Sequence, residues 1–283
     1  VTSIDLHCHS TASDGTLSPE ELVTEAATAG LDVMAITDHD TTGGWARAAT
    51  ARPTGLRLVR GAELSCRWYG VQPSIALHLL AYLFDPGEPH LAAELVRAQA
   101  DRKQRAEQIV ALLRADRVPI SWPEVAGYAA GGSVGRPHIA QALIRAGLVR
   151  NTDEAFTPGW LGGRYFVPKS DLDVFAVVRA VRVAGGVPVL AHPRASRRGR
   201  VVPDRVIEEL AADGLFGLEA DHEDHTAHER AHVRALAERL GLVVTGSSDF
   251  HGSHKSVRLG AFVTDESAYE KIVAAASGVP VLG

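Results

Sequence analysis

The short apolar runs of this chain close, one after another, on histidine, aspartate or glutamate. Residues 3–6 run into His7 and His9, residues 33–37 into Asp38-His39-Asp40, and residues 56–59 are followed by Glu63. His78 lies inside the run 74–82, His192 ends the run 187–191, and Asp249 and His251 follow 242–246. Between the runs lie helix-like segments. Ser18-Pro19-Glu20-Glu21 reads as an N-cap, a proline at the first helical position and an acidic first turn, with Gly30 as the stop. Others are read at 44–51 and from about Asp204 and Thr226, and further strands at 217–220 and 261–264. Strand and helix in alternation predict parallel strands with crossover helices. About seven or eight such strands predict a closed or nearly closed barrel, whose C-terminal strand ends converge on one face. The polar residues are therefore expected to be neighbours in space.

One segment breaks the rhythm. Residues 91–115 carry a long helical pattern with Leu95, Ile109, Leu112 and Leu113 apolar, and Gly131-Gly132-Ser133 precedes a second helix at 137–146. The expected organisation is a barrel domain of residues 1–89 and 170–283, with 90–169 a mostly helical insertion forming a substrate cap.

Composition narrows the function. A net charge of −5 gives no global basic field to draw the chain to nucleic acid or anionic membrane. Two cysteines, Cys8 and Cys66, make no disulfide framework and suit a reducing, cytoplasmic setting. No run approaches the ~18 apolar residues of a membrane span, no signal-like segment opens the sequence, and no obligate protein partner is evident. The anomaly is 13 histidines.

Their spacing is informative. His7 and His9 are two apart, so both point to one side of an extended chain as a two-toothed metal clamp, and Asp249-x-His251 repeats the arrangement. A lone histidine after a strand is ordinarily satisfied by backbone or solvent. A series of them at successive strand ends would be costly to bury without a compensating cation. Imidazole and carboxylate together suit Mn, Fe or Zn. Cys8, between two such teeth, should point away from them into the core.

Asp5-Leu6-His7-Cys8-His9-Ser10, Ser13-Asp14-Gly15 and Ile36-Thr37-Asp38-His39-Asp40 resemble the opening motifs of the PHP (polymerase and histidinol phosphatase) family. Gly61-Ala62-Glu63, His78, Ala191-His192-Pro193 and Gly246-Ser247-Ser248-Asp249-Phe250-His251-Gly252 are similar to its later motifs, in order. The resemblance implies an α/β fold, a distorted (β/α)7 PHP barrel, and a hydrolase with two or three divalent ions. It implies His7, His9, Glu63 and Asp249 around the first ion, and Glu63 bridging to a second held by His78 and His192. Asp14, His39 and His251 would hold a third, and Asp249 could also bridge. The implied chemistry is attack on phosphorus by a hydroxide between the first two ions.

Substrate contacts are read more loosely. His222 and His225 follow the strand at 217–220, with His225 favoured as a substrate contact or general acid. Arg136 stands at an expected helix start, where a guanidinium and a helix N-terminus both favour phosphate. Its run 134–140, with Tyr165-Phe166-Val167-Pro168, resembles the insertion of family members that act on nucleotides. Arg194, Arg197, Arg198 and Arg200 form a basic loop after His192 that could bind a second phosphate or an RNA strand, with Arg194 taken as a contact, and His254 and Lys255 could reach the same phosphate. The preferred reading is a phosphatase releasing the 3′-phosphate of nucleoside 3′,5′-bisphosphates or acting on AMP-like substrates. The alternatives are a 5′-to-3′ exoribonuclease on short RNA, a histidinol phosphatase, and a non-catalytic metal-binding domain.

Overall fold

The computed structural model describes residues 2–129, 132–169 and 171–283; Gly131 of the glycine-rich stretch lies outside them. β1 (Ile4–Cys8) leads to α1 (Pro19–Thr28), β2 (Val33–Ile36), α2 (Trp45–Ala51), β3 (Arg57–Trp68) and β4 (Ile75–Tyr82). Then come α3 (Pro89–Ala115), α4 (Trp122–Tyr128), α5 (Arg136–Arg145) and α6 (Thr152–Ala155), before β5 (Leu172–Asp173) and α7 (Val174–Val183). β6 (Val187–Ala191), α8 (Asp204–Ala212), β7 (Gly217–Asp221), α9 (Ala227–Leu240), β8 (Val243–Gly246) and α10 (Glu266–Ala275) complete the order. Local signals set several boundaries. α1 starts on a capping box, with Ser18 Oγ accepting from Glu21 N and Glu21 Oε2 from Ser18 N. Leu22, Val23 and Ala26 then form its buried face.

The strands follow the order β1-β2-β3-β4-β6-β7-β8, with β5 paired to β3. β1, β2 and β3 are parallel, as are β6, β7 and β8. The ends meet at a bridge between Cys8 and Phe250, where His9 N donates to Phe250 O at 2.9 Å and Phe250 N to His7 O at 3.2 Å. The result is a nearly closed α/β barrel of seven principal strands.

Two expectations are corrected. β4 is antiparallel to both β3 and β6. The short link between β3 and β4 has no room for a crossover helix, and a parallel return needs a dozen residues or more. β3 itself extends to Trp68, so Glu63 lies inside a hairpin instead of beyond a strand end, while His78 lies within its strand as read, with Glu63 opposite Leu80 and Ser65 opposite His78. The run 261–264 forms no strand. Instead Thr264 fills the seam, its N donating to Ile4 O at 2.9 Å and its Oγ1 to Gly246 O at 2.8 Å.

One hydrophobic core lies between the sheet and α1, α2, α7, α8 and α9, and the first half of α3 joins it through Leu91, Leu95 and Ala98. The second half of α3 turns Ala106, Ile109, Val110 and Leu113 into a separate core with Val125, Ile139, Leu143 and Leu161. Leu112, read as apolar-face, is 45% exposed. A helix of this length spans roughly 40 Å, so α3 is the beam on which α4, α5 and α6 stand. Among the described residues no helix is long and apolar enough to cross a membrane.

Candidate metal centre

β1 delivers His7 and, one step past its end, His9. Both present Nε2 to the same two oxygens: 3.2 Å from Glu63 Oε2 and 3.3 Å from Asp249 Oδ1 in each case. His39 Nδ1 is also 3.2 Å from Glu63 Oε2. The other Glu63 oxygen, Oε1, lies 2.7 Å from His78 Nδ1 and 3.2 Å from His192 Nε2. Asp14 gathers the remaining members, with His251 Nε2 at 3.4 Å and His39 Nε2 and His9 Nδ1 each at 3.7 Å. Ligand atoms cluster as His7, His9, Glu63 and Asp249; as His9, Asp14, His39 and His251; and as His39, Glu63 and His78. The site expected from the sequence is thus brought together on one face. The grouping differs in detail: His9 and His39 are each shared between clusters, and His192 approaches Glu63 from outside the third.

Apart from the one between His192 Nε2 and Glu63 Oε1, these close contacts are not hydrogen bonds. His7 Nε2, His9 Nε2, His39 Nδ1, His78 Nδ1, Asp14 Oδ1 and Asp249 Oδ1 are buried without a hydrogen-bond partner among the described residues. Orphaned polar atoms at this depth are expensive, and lone pairs converging on common centres are what cations satisfy. The titration states agree. Burial drives charge off His39 and holds His192 at about 3 and His251 at about 4, which leaves neutral ligands. Burial would raise the carboxyls of Asp14, Glu63 and Asp249, but the surrounding imidazoles, and Lys255 beside Asp249, hold them well below the usual range. Burial also opposes charge on His9, yet Asp249 and Glu63 lift it to about 9, so a proton there stands where a cation would bind.

Buried carboxylates hold the ligands in place. Glu219, on β7, accepts from His7 Nδ1 at 3.0 Å and from His192 N at 2.9 Å, which aims His7 Nε2 at the cluster. Asp38 accepts from Ser10 N, Ser10 Oγ and Ser13 Oγ at 2.7–2.8 Å and so fixes the loop that carries Asp14. In that loop Gly15 has no room for a side chain, since a Cβ would lie 2.3 Å from His9 O. Asp40 accepts from Ser65 N and Ser65 Oγ and pairs with Arg102 of α3. Asp5 accepts from Ser248 N at 3.1 Å, just before Asp249. Asp40, His192 and Asp249 have φ of 54°, 29° and 51°. This left-handed conformation is strained for non-glycine residues and concentrates at functional sites. Cys8 is fully buried in the core and burial pushes its thiol far up, so it offers no thiolate.

The residues read as substrate contacts divide. His222 is fully buried; its Nδ1 accepts from Asp224 N, so Nε2 carries the proton and points it at Asp249 Oδ2, 3.2 Å away. Lys255 Nζ reaches the same oxygen at 2.5 Å. His254 Nδ1 donates to Asp14 O at 2.9 Å. Arg136 opens α5, its guanidinium over the Phe156 ring at 5.0 Å. His225 does not face the cluster. Its Nδ1 donates to Ala220 O at 2.8 Å and its Nε2 accepts from Arg194 N at 3.0 Å, so both ring nitrogens are taken by backbone and the general-acid role is corrected. The Arg194 guanidinium is likewise occupied, by Val202 O and Asp204, and lines a separate cavity of about 390 Å³ with Trp68 and Ile75.

Two residues at the cluster were not singled out from the sequence, Arg198 having been read only as one of a basic loop. Glu219 is a carboxylate set inside the apolar run 217–220, a signal that could have marked it. Arg198, one arginine among four in its loop, places Nη1 3.0 Å from His192 Nε2 and Nη2 2.8 Å from Asp249 Oδ2.

A barrel with a buried, multinuclear nest of imidazoles and carboxylates on one face defines a metal-dependent hydrolase. Residues 5–116 match the PHP domain. The chain is 35% identical over 250 residues to a 5′-3′ exoribonuclease of Haemophilus influenzae, covering 87% of this chain and 89% of that protein. It is 33% identical over 265 residues to the 3′,5′-nucleoside bisphosphate phosphatase of Chromobacterium violaceum, covering 89% and 88%. A solved structure described as a metal-dependent phosphoesterase, from Bifidobacterium adolescentis, superposes with a TM-score of 0.92 at 35% identity, covering 98% of this chain and 97% of that one. The chain belongs to the PHP family of metal-dependent phosphoesterases.

Proposed function

We propose that the chain hydrolyses phosphomonoesters of nucleotides, either the 3′-phosphate of nucleoside 3′,5′-bisphosphates or AMP-like substrates. The observation that carries the reading is Glu63, whose two oxygens divide between His7, His9 and His39 on one side and His78 and His192 on the other. A carboxylate so placed is built to bridge two cations.

His7, His9, Glu63 and Asp249 would hold one ion, Glu63 with His78 and His192 a second, and Asp14, His39 and His251 a third. Mn, Fe and Zn all suit this donor set. Such ions supply Lewis-acid charge to phosphoryl oxygens and activate water. The chain's own residues do the rest. Lys255 adds positive charge at Asp249. His222, its Nδ1 accepting from Asp224 N, directs an Nε2–H to the cluster side and takes the place of His225 as the histidine that hydrogen-bonds the leaving oxygen. Arg136 and the N-terminus of α5 grip a phosphate of the nucleotide. Residues 90–169, raised on α3, act as a cap that shapes the substrate side. The bisphosphate phosphatase at 33% identity supports a nucleotide monoester. The exoribonuclease at 35% supports the second reading, removal of nucleotides from the 5′ end of short RNA.

A phosphate-release screen over nucleoside 3′,5′-bisphosphates, mononucleotides, histidinol phosphate and 5′-phosphorylated oligoribonucleotides tests this. Turnover of bisphosphates or mononucleotides well above the others is expected. Mononucleotide release from RNA with no phosphate release from small nucleotides would replace the proposal with its alternative.

A further inference from the structure

The loop after β6 carries four arginines, and three are accounted for. Arg194 is bound to Val202 O and Asp204, Arg200 donates to Pro73 O at 2.8 Å, and Arg197 is 66% exposed with only a 3.7 Å contact to Asp224. The first two staple the loop at its ends. Between them a 3₁₀ turn, Ser196–Arg198, is closed by Gly199 at φ 135°, where the space around the missing side chain is open. That turn lays Arg198 across the edge of the metal cluster. Its Nε donates to Asp224 Oδ2 at 2.5 Å and its Nη2 to Asp249 Oδ2 at 2.8 Å, with Nη1 3.0 Å from His192 Nε2.

Most of the cluster is sealed, His7 and His9 having no exposed side-chain surface. The open members are His78, 30% exposed, Arg198, 33%, and Lys255, 23%. The mouth is therefore rimmed by two cations from different loops, both directed at Asp249 Oδ2. His192 Nε2 is a ligand atom, so metal ligation there would leave a guanidinium tethered through Asp224, with N–H groups free at the mouth.

We infer that Arg198, held by Asp224 at the mouth of the metal cluster, contacts the phosphoryl group and selects the doubly charged phosphomonoester over the singly charged diester. This rests on the phosphatase reading above. A monoester carries about −1.5 to −2 at neutral pH, a diester only −1. A fixed cation beside the reacting group interacts in proportion to that charge, and a planar fork matches two terminal oxygens, of which the monoester has one more to offer. Asp224 is the positioning residue, since it orients the fork without reaching the substrate.

The test compares p-nitrophenyl phosphate with bis(p-nitrophenyl) phosphate on metal-loaded protein of measured metal content. Arg198→Ala should lower monoester kcat/KM by about 10²-fold and diester kcat/KM by at least tenfold less, with metal content unchanged. Arg198→Lys should recover part of the monoester loss, and Arg197→Ala should leave the ratio of the two rates as it was. Calorimetry should find inorganic phosphate bound about tenfold more weakly by Arg198→Ala, as for one lost charge-assisted contact. An unchanged rate ratio, unchanged phosphate affinity, or equal losses accompanied by loss of metal would overturn the inference while leaving the phosphatase reading standing. A wild-type chain that releases phosphate from no monoester, nucleotides included, would overturn both.

Discussion

His7 shows how a ligand is made from neighbours. Its Nε2 can face cations only because Glu219 takes Nδ1, which fixes the ring and raises its basicity. Glu219→Gln keeps the shape and loses the charge, so metal affinity or turnover should fall ~10–100-fold. Metal stoichiometry after dialysis and steady-state rates would check it; full occupancy at wild-type rate would refute it. The two buried histidines after β7 should separate in the same assay. His222→Asn removes an N–H donor from the cluster side, and kcat should fall ~10²-fold across the pH profile with thermal stability kept. His225→Gln loses backbone anchors instead, so thermal stability should drop while the profile keeps its shape. The reverse pattern would restore His225 as the acid. At this scale eight of the nine ligands were legible because they close, follow or interrupt an apolar run, whereas Asp14 was read only from the family resemblance. The direction of a ring was not, because it depends on backbone groups the run does not contain. Nor could one arginine of four be singled out, since the 3₁₀ turn decides which of them faces inward.

Helices and strands explain where the sequence reading slipped. The alternation of runs predicts a barrel, but strand direction is set by the link, and the hairpin between β3 and β4 puts Glu63 and His78 on one face of adjacent strands. The antiparallel turn is what lets one carboxylate meet His78 of β4 and His192 just past the end of β6. Asp40 joins another pair of elements, since it anchors Ser65 of β3 and takes Arg102 from α3. The pair is buried, so removing one partner strands the other; Asp40→Asn should cost ~3–5 kcal/mol in urea unfolding. The pH dependence has a definite sign. Burial would raise the Asp40 carboxyl, but Arg102 and Lys169 hold it far below its usual value. A depressed carboxyl stabilises fully above its unfolded pKa of about 3.9 and the contribution is lost as pH falls below that. Wild type should therefore lose stability on acidification below about pH 4 more steeply than Asp40→Asn. Parallel curves would show that the ion pair contributes nothing net.

Over the whole molecule, the donors come from β1, β3, β4 and the loops after β1, β2, β6 and β8, so ions at the cluster tie together most of the barrel's rim. α4, α5 and α6 supply none of the clustered ligands and share a separate core. Ligands that bind only the folded state stabilise it by RT ln(1 + [L]/Kd), about 2.7 kcal/mol at a hundredfold excess over Kd. Chelation should therefore lower Tm by roughly 5 °C or more at this chain length. The loss should be uneven. Amide exchange after chelation should speed up in residues 7–15, 37–41, 61–65 and 247–252, while the helices packed around Ile109, Val125 and Leu143 keep their protection. The first half of α3 is the exception, because Arg102 ties it to Asp40, next to His39, and it should loosen with the rim. Uniform loss of protection through α4 and α5 would mean that the insertion and the barrel open as one cooperative unit. A barrel rim unaffected by chelation would mean that the buried, unpartnered histidines are satisfied without cations.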